Sequence, residues 1–488
     1  MKAASPLARL GDVTGAADAE IRGDPDTLLA DAAYDSRSVP ARSLFFCVPG
    51  RTFDGHAFAA DAARGGASAL VVERWIDAVD LPQARVGSVR AAMGPMSSVL
   101  FGSPAARMRS VGVTGTNGKT TTTYLLEAVL AGTGSHPGVI GTTGARIGSV
   151  PIPLDRTTPE APDLHRLLAR MRSEGVDAVA LEVSSHALAE HRVDGLRFDV
   201  AVFTNLSQDH LDFHGSMEAY FASKARLFTP AMAMHGIVNV DDDWGRRLAS
   251  EAAIPVTTYA VEGPADVTAD PEPVGRGSTF RFGDIEVRVG LSGRFNVANA
   301  LATMIVADRL GVDASRAAEA MASVSRVPGR MEPIEAGQPF LVMVDYAHTP
   351  DSIQHVLRGA RPLVAGRVIV VFGCGGDRDR AKRPSMGAAA TAVADLTIIT
   401  SDNPRTEDPL EIIGQIEAGA RSGGGPYEVE PDRRLAIRRA VREARAGDVV
   451  IIAGKGHETV QERGGERIPF DDREVAREEL LAGREERA

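Results

Sequence analysis

The residues best suited to chemistry form one short glycine-rich run between positions 115 and 121. Glycines in such a loop let backbone N–H groups close around an anion at the start of the following helix. Lys119 can reach the terminal phosphates of a nucleoside triphosphate, and the Thr120 hydroxyl can bind the accompanying magnesium. Val113 stands where the strict P-loop pattern has a glycine, so this is a shortened variant. The alternative is a plain turn, but a helix that opens with Lys-Thr-Thr-Thr favours phosphate binding.

Two further residues are expected at the same edge as this loop. Glu182 lies in the predicted strand 178–183, at its carboxyl end, and His210 follows the predicted strand 200–203. Carboxylate oxygens and imidazoles are suitable ligands for a metal that accompanies a triphosphate. Both residues are therefore candidate magnesium ligands, and the alternative for each is a capping or loop role.

Lys224 lies on the apolar stripe of a predicted helix, four residues after Tyr220 and three before Leu227. One interpretation is a side chain that snorkels to the surface. The other is a desolvated amine with a lowered pKa. Such an amine is nucleophilic enough to capture carbon dioxide as a carbamate, which replaces a buried cation with an anion.

Four polar clusters each follow an apolar strand candidate in the C-terminal third of the chain. Ligands of open α/β sheets bind beyond the carboxyl ends of the strands. Any one cluster could be a hydrophilic loop, whereas four at one edge predict a binding cleft. The clusters are Asp345–Asp351 after strand 340–344, Gly373–Asp379 after 368–372, Asp402–Arg405 after 396–400, and Gly454–Glu458 after 449–452.

The composition limits the class of protein. A chain of 488 residues is long enough for about three domains with separate cores. The 54 basic and 65 acidic residues give a net charge of -11, which argues against a nucleic-acid-coating role. No apolar run approaches the ~20 residues of a membrane span, and the N-terminus lacks a secretory signal. Cys47 and Cys374 suggest no disulfide framework, so we expect a cytoplasmic protein.

Alternating strands and helices predict an α/β fold, with parallel sheets covered by helices on both faces. A linker is expected near 102–106, and a helix over 296–310 that stops at Gly311. The other strand candidates are 44–48, 69–72, 111–114 and 237–240, and the other helix candidates are 121–132, 162–173 and 433–445.

Together these motifs resemble those of the Mur ligases, ATP-dependent enzymes that add amino acids to the peptidoglycan precursor. The resemblance covers nearly the whole chain and includes Gly-Thr-Asn-Gly-Lys-Thr-Thr, Glu-Val-Ser-Ser-His, Asn-Leu-Ser-Gln-Asp-His, Gly-Arg-Met-Glu, Asp-Asn-Pro-Arg and Gly-Lys-Gly-His-Glu. It implies a three-domain α/β architecture. Residues 1–107 would bind the UDP-substrate, 108–331 would form a central P-loop ATP-binding domain, and 332–488 a C-terminal Rossmann-like domain for the amino acid.

Within the family, the resemblance is to the ligases that form the tripeptide precursor of peptidoglycan. It implies that the partners are UDP-N-acetylmuramoyl-L-alanyl-D-glutamate and meso-diaminopimelate, with ATP, Mg²⁺ and a carbamate on Lys224. ATP would convert the substrate carboxylate to an acyl phosphate, and an amine would then attack it to give an amide, ADP and phosphate. We expect a monomer that binds no nucleic acid and does not insert into a membrane.

The resemblance also implies roles for individual residues. The catalytic residues would be Lys119, Glu182, His210 and Lys224. The metal ligands would be Thr120, Glu182, His210 and Lys224. ATP contacts fall on Gly115, Thr116, Asn117, Gly118, Lys119, Thr120, Thr121, Asn296, Arg330 and Asp345. UDP-substrate contacts fall on Tyr34, Asp35, Ser36, Arg51, Thr52, Phe53, Thr157, Thr158, Ser184, Glu190 and Arg192. Diaminopimelate contacts fall on Arg378, Asp402, Asn403, Pro404, Arg405, Gly454 and Glu458.

Two of these positions carry specific expectations. Glu190 departs from the family, which usually has glutamine there; we expect it to pair with a nearby arginine and not with the substrate carboxylate, and Arg156 is the named candidate partner. Arg405 would form a charged hydrogen bond with the distal carboxylate of diaminopimelate, and Glu458 could pair with the distal ammonium. Lysine lacks that carboxylate and would leave Arg405 unpaired in the pocket.

Two alternative functions stay open. A folylpolyglutamate synthetase shares the chemistry of the superfamily, but the Asp-Asn-Pro-Arg cluster and the extra N-terminal domain favour the tripeptide-forming ligase. The other alternative is a catalytically silent nucleotide-binding scaffold. Such a scaffold would have lost at least one of Lys119, Thr120, Glu182, His210 and Lys224, and all five are present.

Overall fold

The structure, a computed structural model, describes residues 7–50 and 52–485. Arg51, an expected UDP-substrate contact, lies outside the described residues. The chain forms three successive units, each built around its own sheet. None of the helices in the described ranges is long and apolar enough to cross a membrane.

Over its described residues, 7–50 and 52–107, the N-terminal unit has seven strands, three α-helices and two 3-10 helices. The strands are β1 (Ala8–Arg9), β2 (Glu20–Arg22), β3 (Leu28–Leu29), β4 (Asp31–Ala33), β5 (Ser43–Phe46), β6 (Ala67–Val72) and β7 (Gln83–Arg85). The helices are α1 (Leu10–Thr14), α2 (Ala59–Gly65) and α3 (Val89–Leu100), with 3-10 helices at Gly55–Phe58 and Pro104–Arg107. The main sheet has the order β2-β7-β6-β5-β4, and β1 pairs with β3.

The central unit is the largest, and its main sheet has nine strands. The strands are β8 (Arg109–Thr114), β9 (Pro137–Gly141), β10 (Gly144–Ile147), β11 (Val150–Ile152), β12 (Ala178–Glu182), β13 (Phe198–Phe203), β14 (Ala233–Asn239), β15 (Val256–Ala260), β16 (Val267–Thr268), β17 (Glu272–Val274), β18 (Gly277–Phe282) and β19 (Ile285–Val289). The helices are α4 (Lys119–Gly132), α5 (Ala161–Ser173), α6 (Ser185–Ala189), α7 (Leu211–His214), α8 (Met217–Ala225), α9 (Asp243–Glu251), α10 (Arg294–Arg309) and α11 (Ala314–Ala322), with a 3-10 helix at Arg226–Phe228. The sheet orders are β11-β10-β9-β12-β8-β13-β14-β15-β16 and β17-β18-β19.

The C-terminal unit has a six-stranded sheet and a separate hairpin. The strands are β20 (Glu332–Pro333), β21 (Leu341–Asp345), β22 (Val368–Phe372), β23 (Leu396–Ile399), β24 (Tyr427–Val429), β25 (Val449–Ala453), β26 (Val460–Arg463) and β27 (Glu466–Pro469). The helices are α12 (Pro350–Ala360), α13 (Lys382–Thr391), α14 (Pro409–Gly423), α15 (Arg433–Glu443) and α16 (Asp472–Glu485), with a 3-10 helix at Arg361–Leu363. The sheet order is β20-β21-β25-β22-β23-β24, and β26 pairs with β27.

The parallel strands are apolar on both faces because helices cover both faces of the sheet. In β22, Val368 and Val370 pack into one core, while Ile369 and Val371 pack into the core on the other face. Successive side chains of a strand point to opposite faces, so such a strand reads as an unbroken apolar run. Strands β21, β25, β22 and β23 are mutually parallel neighbours. Their carboxyl ends therefore meet at one edge, which confirms the predicted arrangement of the four polar clusters.

The predicted core strands and long helices all form, with ends shifted by a few residues. The sequence does not predict the antiparallel strands β10, β11 and β17 to β19. Strands β11 and β17 have three residues each, with a central proline and mostly exposed side chains, so they lack an apolar pattern. The expected linker near 102–106 is packed instead, since Pro104 and Ala105 are buried in a 3-10 helix.

Candidate functional site

The loop between β8 and α4 brings the predicted phosphate-binding residues together. Gly115 has a φ of +146°, which side chains rarely adopt, and a Cβ there would collide with Thr204 Oγ1. A Cβ at Gly118, directly before α4, would lie 2.5 Å from Asn299 Oδ1. The loop therefore requires glycine at both positions, as expected of a cradle for phosphate at a helix N-terminus.

Three cationic side chains surround this loop. Lys119 Nζ and Lys224 Nζ both donate to the Gly115 carbonyl, at 3.0 and 2.7 Å. Arg330 Nη2 donates to Thr120 Oγ1 at 2.9 Å. Burial lowers the pKa of Lys119, and the nearby Arg330 lowers it further. This crowding of positive charge fits a triphosphate, whose negative charge would relieve the repulsion.

Glu182 and His210 are fixed at the same edge of the central sheet. Glu182 ends β12 and is 1% exposed, and its Oε1 and Oε2 accept from Thr142 N at 3.0 Å and Thr142 Oγ1 at 2.9 Å. His210 directly precedes α7. Burial lowers the pKa of His210 to about 3. The imidazole is therefore neutral at physiological pH, which is the form that binds a metal.

The candidate magnesium donors carry little negative charge of their own. Glu182, His210 and Thr120 together supply one negative charge. Within residues 7–50 and 52–485, no three His, Cys, Asp or Glu side chains form a group suited to a metal ion. Lys224 is 1% exposed, and burial together with Lys119 lowers its pKa well below the ordinary value. A carbamate on this amine would add the anionic oxygen donors that magnesium prefers.

Asn296 and Asp345 are held by hydrogen bonds within the protein. Asn296 Nδ2 donates to the Ser292 carbonyl at 2.8 Å. The Asp345 carboxylate accepts from the backbone N–H groups of Met331 and Ala347, each at 2.7 Å. Asp345 thereby fixes the segment that follows Arg330. The expected ATP contacts of Asn296 and Asp345 stay predictions.

Asp209 was not predicted as a site residue, yet it joins the central and C-terminal units. Its carboxylate lies 3.1 Å from Lys382 Nζ and 3.4 Å from Nε2 of both His210 and His348. Burial raises the pKa of Asp209, but Lys382 and the two histidines outweigh burial and leave the pKa well below its ordinary value. Its place next to His210 in the Asp-His motif is the signal that could have identified it.

The expected UDP-substrate residues fall into two groups, of which the first is in the N-terminal unit. Tyr34 Oη donates to Asp163 Oδ2 in α5 at 2.6 Å, so this group lies against the central unit. Phe53 is 68% exposed and makes an edge contact with Phe58. The other described members are the half-buried Asp35 and Ser36 and the exposed Thr52.

The second group lies beside Glu182. Thr158 Oγ1 donates to the Glu182 carbonyl at 2.8 Å, and Ser184 N donates to Thr158 Oγ1 at 3.2 Å. Arg192 Nη1 donates to the Thr158 carbonyl at 3.4 Å. Thr157 Oγ1 lies 3.2 Å from the hydroxyl of Thr142. The structure therefore brings these four predicted residues close to the candidate metal ligand.

The expected pairing of Glu190 with Arg156 is wrong. Glu190 pairs with Arg192, and Arg156 pairs with Glu160 instead. Arg192 also lies 3.1 Å from Glu160 Oε1 through its Nε, so it bridges two carboxylates that are distant in sequence. Burial raises the pKa of Glu190, but Arg192 helps to outweigh burial and the pKa lies below its ordinary value.

In the C-terminal unit, two carboxylates lie close together at the end of the sheet. Asn403 Nδ2 donates to Glu458 Oε2 at 2.8 Å, and Lys455 Nζ lies 3.3 Å from the same oxygen. Burial and the neighbouring Asp402 raise the pKa of Glu458 against the effect of Lys455. A Cβ at Gly454 would lie 2.5 Å from Asp402 Oδ2. An ammonium group of a ligand would relieve the repulsion between Asp402 and Glu458.

Arg405 has protein partners, which corrects the expectation that lysine would leave it unpaired. Its Nε donates to Glu462 Oε2 at 2.9 Å, and its Nη1 donates to the Gly376 carbonyl at 2.7 Å. Glu462 belongs to β26, an element that the sequence does not place beside Arg405. The Pro404 carbonyl packs against Gly376, and Arg378 is exposed in the adjoining loop.

Three family models match successive parts of the chain. The one described as "Mur ligase family, catalytic domain" matches residues 32–93, and the "Mur ligase middle domain" matches residues 113–307. The model described as "Mur ligase, glutamate ligase domain" matches residues 329–456. The phosphate-binding cradle falls in the second of these matches, and the Asp402–Arg405 loop falls in the third.

Known proteins match over nearly the full length. A Streptomyces coelicolor protein named "UDP-N-acetylmuramoyl-L-alanyl-D-glutamate--2,6-diaminopimelate ligase" is 46% identical, over 98% of this chain and 96% of its own. A Geobacillus thermodenitrificans protein of the same name is also 46% identical, over 93% of this chain and 95% of its own. A solved structure of a ligase with that name is 34% identical, with a TM-score of 0.70, and covers 98% of this chain and 100% of its own. The chain therefore belongs to the Mur ligase family and has its three-domain α/β architecture.

Proposed function

We propose that this protein is an ATP-dependent, ADP-forming ligase that adds meso-diaminopimelate to UDP-N-acetylmuramoyl-L-alanyl-D-glutamate, making the tripeptide precursor of peptidoglycan. One observation carries the proposal: the P-loop unit and the C-terminal polar edge are in direct contact. Asn117 Nδ2 in the P-loop donates to Asp351 Oδ2 at 3.5 Å, and His457, beside Glu458, lies 3.2 Å from the Thr142 carbonyl. The names of the full-length relatives support the same reaction.

The proposed mechanism starts from the poor reactivity of a carboxylate. Transfer of the γ-phosphoryl group of ATP to the substrate carboxylate gives an acyl phosphate with a good leaving group. Lys119 and Arg330 would stabilise the transferring group by position and electrostatics. The amine of the third substrate then attacks the acyl carbon; a C–N bond forms, the amine loses a proton, and phosphate leaves. Magnesium would neutralise phosphate charge when held by its proposed ligands, Thr120, Glu182, His210 and carbamylated Lys224.

The three substrates would be divided among three domains, with boundaries that we place at 107/108 and 331/332. The uridine nucleotide would contact Tyr34 and its neighbours, while Thr157, Thr158, Ser184 and Arg192 would hold the dipeptide portion. Closure of the domains would keep water away from the acyl phosphate. We propose that the enzyme acts as a monomer in the cytoplasm, where ATP is available.

Selection of diaminopimelate would depend on its far end. Arg405 Nη2 makes no hydrogen bond to any residue in the described part of the chain, so it is available for the distal carboxylate. Glu458 and Asp402 would take the distal ammonium. Asn403 and Lys455 hold Glu458 in place, and Pro404 and Gly454 shape the two loops. Arg378 lies in the adjoining loop, where it would contact the same amino acid.

The test is phosphate release by the full-length protein with each substrate omitted in turn. We expect release to require ATP, Mg²⁺, the UDP-muramoyl-dipeptide and diaminopimelate together, with the tripeptide seen by mass spectrometry. Release with a folate and glutamate would instead identify a folylpolyglutamate synthetase. ATP binding without release under any condition would identify a silent scaffold.

A further inference from the structure

Thr142, in the turn after β9, holds both oxygens of the Glu182 carboxylate. Its backbone N donates to Oε1 at 3.0 Å, and its Oγ1 donates to Oε2 at 2.9 Å. Because a hydroxyl has one proton, the Thr142 hydroxyl can only accept from its other neighbour, Thr157 Oγ1, at 3.2 Å. A directed chain therefore runs from Thr157 through Thr142 to Glu182. It links a proposed dipeptide contact to a proposed magnesium ligand.

The same residue is held from the C-terminal unit. The Thr142 carbonyl accepts from His457 Nε2 at 3.2 Å, across 315 positions of sequence. His457 is held in place, because the Tyr346 ring of its own unit lies 5.4 Å from its imidazole and Gly329 packs directly against its backbone N. His457 therefore connects the C-terminal unit to the Thr142 backbone.

We infer that Thr142 is a positioning residue that couples docking of the C-terminal unit, through His457, to the Glu182 carboxylate. The inference rests on the proposed function, because Glu182 is a proposed ligand of magnesium. When His457 donates to the Thr142 carbonyl, the adjoining N–H and hydroxyl are aimed at the two carboxylate oxygens. Groups that hold a metal ligand in this way typically change metal affinity by about 10- to 100-fold. The amino-acid unit thereby prepares the site that activates the carboxylate.

The test measures the Mg²⁺ dependence of binding of a non-hydrolysable ATP analogue by calorimetry, with the full chain and saturating diaminopimelate. Thr142→Val removes the hydroxyl at nearly constant volume and should raise the Mg²⁺ concentration for half-maximal binding by about tenfold. Thr142→Ser should restore the wild-type value within about twofold. Thr143→Val is the matched control, since the Thr143 hydroxyl faces Tyr124 at 3.2 Å and not Glu182.

His457→Ala is the decisive variant, because His457 makes its contact with a backbone carbonyl and not with Glu182. We expect it to raise the Mg²⁺ requirement several-fold, and we expect Thr142→Val/His457→Ala to be less impaired than the product of the two single effects. The exposed His136→Ala is its control.

An unchanged Mg²⁺ requirement in His457→Ala, or strictly multiplicative effects in the double variant, would overturn the coupling. Thermal unfolding and the Thr142→Ser rescue distinguish coupling from misfolding.

The measurements also distinguish a failure of the proposed reaction from a failure of the proposed coupling. If wild type makes no amide but the Mg²⁺ requirement responds as above, the coupling holds and the assigned reaction is wrong. If wild type makes the tripeptide and the variants lose only affinity for diaminopimelate, the reaction holds and the coupling is wrong.

Discussion

At the scale of single residues, Lys224 presents the clearest conflict between charge and environment. A fully buried ammonium beside Lys119 is costly, and neutralisation or carbamylation relieves that cost. We predict that Lys224→Ala loses activity by at least about 100-fold and that a short carboxylic acid in solution restores part of it. The same acid added to wild type is the control. An absence of any carbamate signal from ¹³C-labelled bicarbonate in active wild type would exclude the modification.

Glu190 has its charge balanced within the protein by Arg192. We therefore predict that Glu190→Gln leaves KM for the dipeptide substrate within a few-fold of wild type, because the substrate does not face a free carboxylate. Arg192→Ala, which removes a proposed substrate contact, should raise KM by at least about tenfold. A large decrease of KM in Glu190→Gln would show that the carboxylate repels the substrate.

Motif residues could be located from the sequence, whereas their partners mostly could not. The P-loop glycines, Glu182 and Lys224 occupy the environments that their spacing indicates. The pairing of Glu190 depends on side-chain direction, and the choice between Arg156 and Arg192 is not encoded in spacing. Arg405 meets Glu462 only because a hairpin folds back onto its loop. Long-range contacts of this kind have no local signature.

At the scale of elements, helix α5 joins the N-terminal and central units. Asp163 accepts from Tyr34, and Arg166 donates to Asp31 at 2.7 Å. On the other side of the helix, His165 Nε2 donates to the Asp194 carbonyl at 3.3 Å. Burial lowers the pKa of His165 to about 4.

The buried His165 predicts acid sensitivity. Between pH values of about 6.5 and 4 the unfolded chain binds a proton at this position and the folded protein does not, so stability falls as pH falls through this window. The free energy of unfolding lost across this whole pH window is roughly 3 kcal/mol. We predict that His165→Gln flattens the loss of unfolding free energy between pH 7 and 4.5, measured by urea denaturation. The exposed His136→Gln should retain the wild-type slope, and an equally steep slope in His165→Gln would count against the assignment.

The strands of the sheet cores are predictable because burial on both faces imposes a continuous apolar run, as in β22 and β25. The edge elements β11 and β17 carry prolines and exposed side chains, so no such constraint acts on their sequences. The loops of the candidate site directly follow these predictable strands, so the sequence indicates where the candidate site lies.

At the scale of the whole molecule, the proposed nucleotide and uridine sites lie in different units. Lys119 begins α4 of the central unit, while Tyr34 follows β4 of the N-terminal unit. We predict that Lys119→Ala abolishes amide formation, with a loss of at least about 100-fold, while the UDP-substrate still binds with wild-type affinity in calorimetry. An equal loss of UDP-substrate affinity would contradict the division of substrates between domains.

Contacts between the units also explain why the candidate site is a property of the assembled chain. Asp209 of the central unit lies within 3.4 Å of His348 and 3.1 Å of Lys382 in the C-terminal unit. Neither partner is identified by the spacing of its own motif. The sequence predicts a polar edge on each of the two sheets, and the packing of the units determines which side chains touch.

The most direct measurement of the central claim is competition between meso-diaminopimelate and L-lysine for incorporation, read by mass spectrometry of the product. Arg405 Nη2 makes no hydrogen bond within residues 7–50 and 52–485, and we propose that it pairs with the distal carboxylate, so wild type should prefer diaminopimelate by at least about 100-fold in kcat/KM. Arg405→Ala should bring the two amino acids close to parity, and the exposed Arg421→Ala should retain the preference. Equal use of lysine by wild type, or an undiminished preference in Arg405→Ala, would contradict the account.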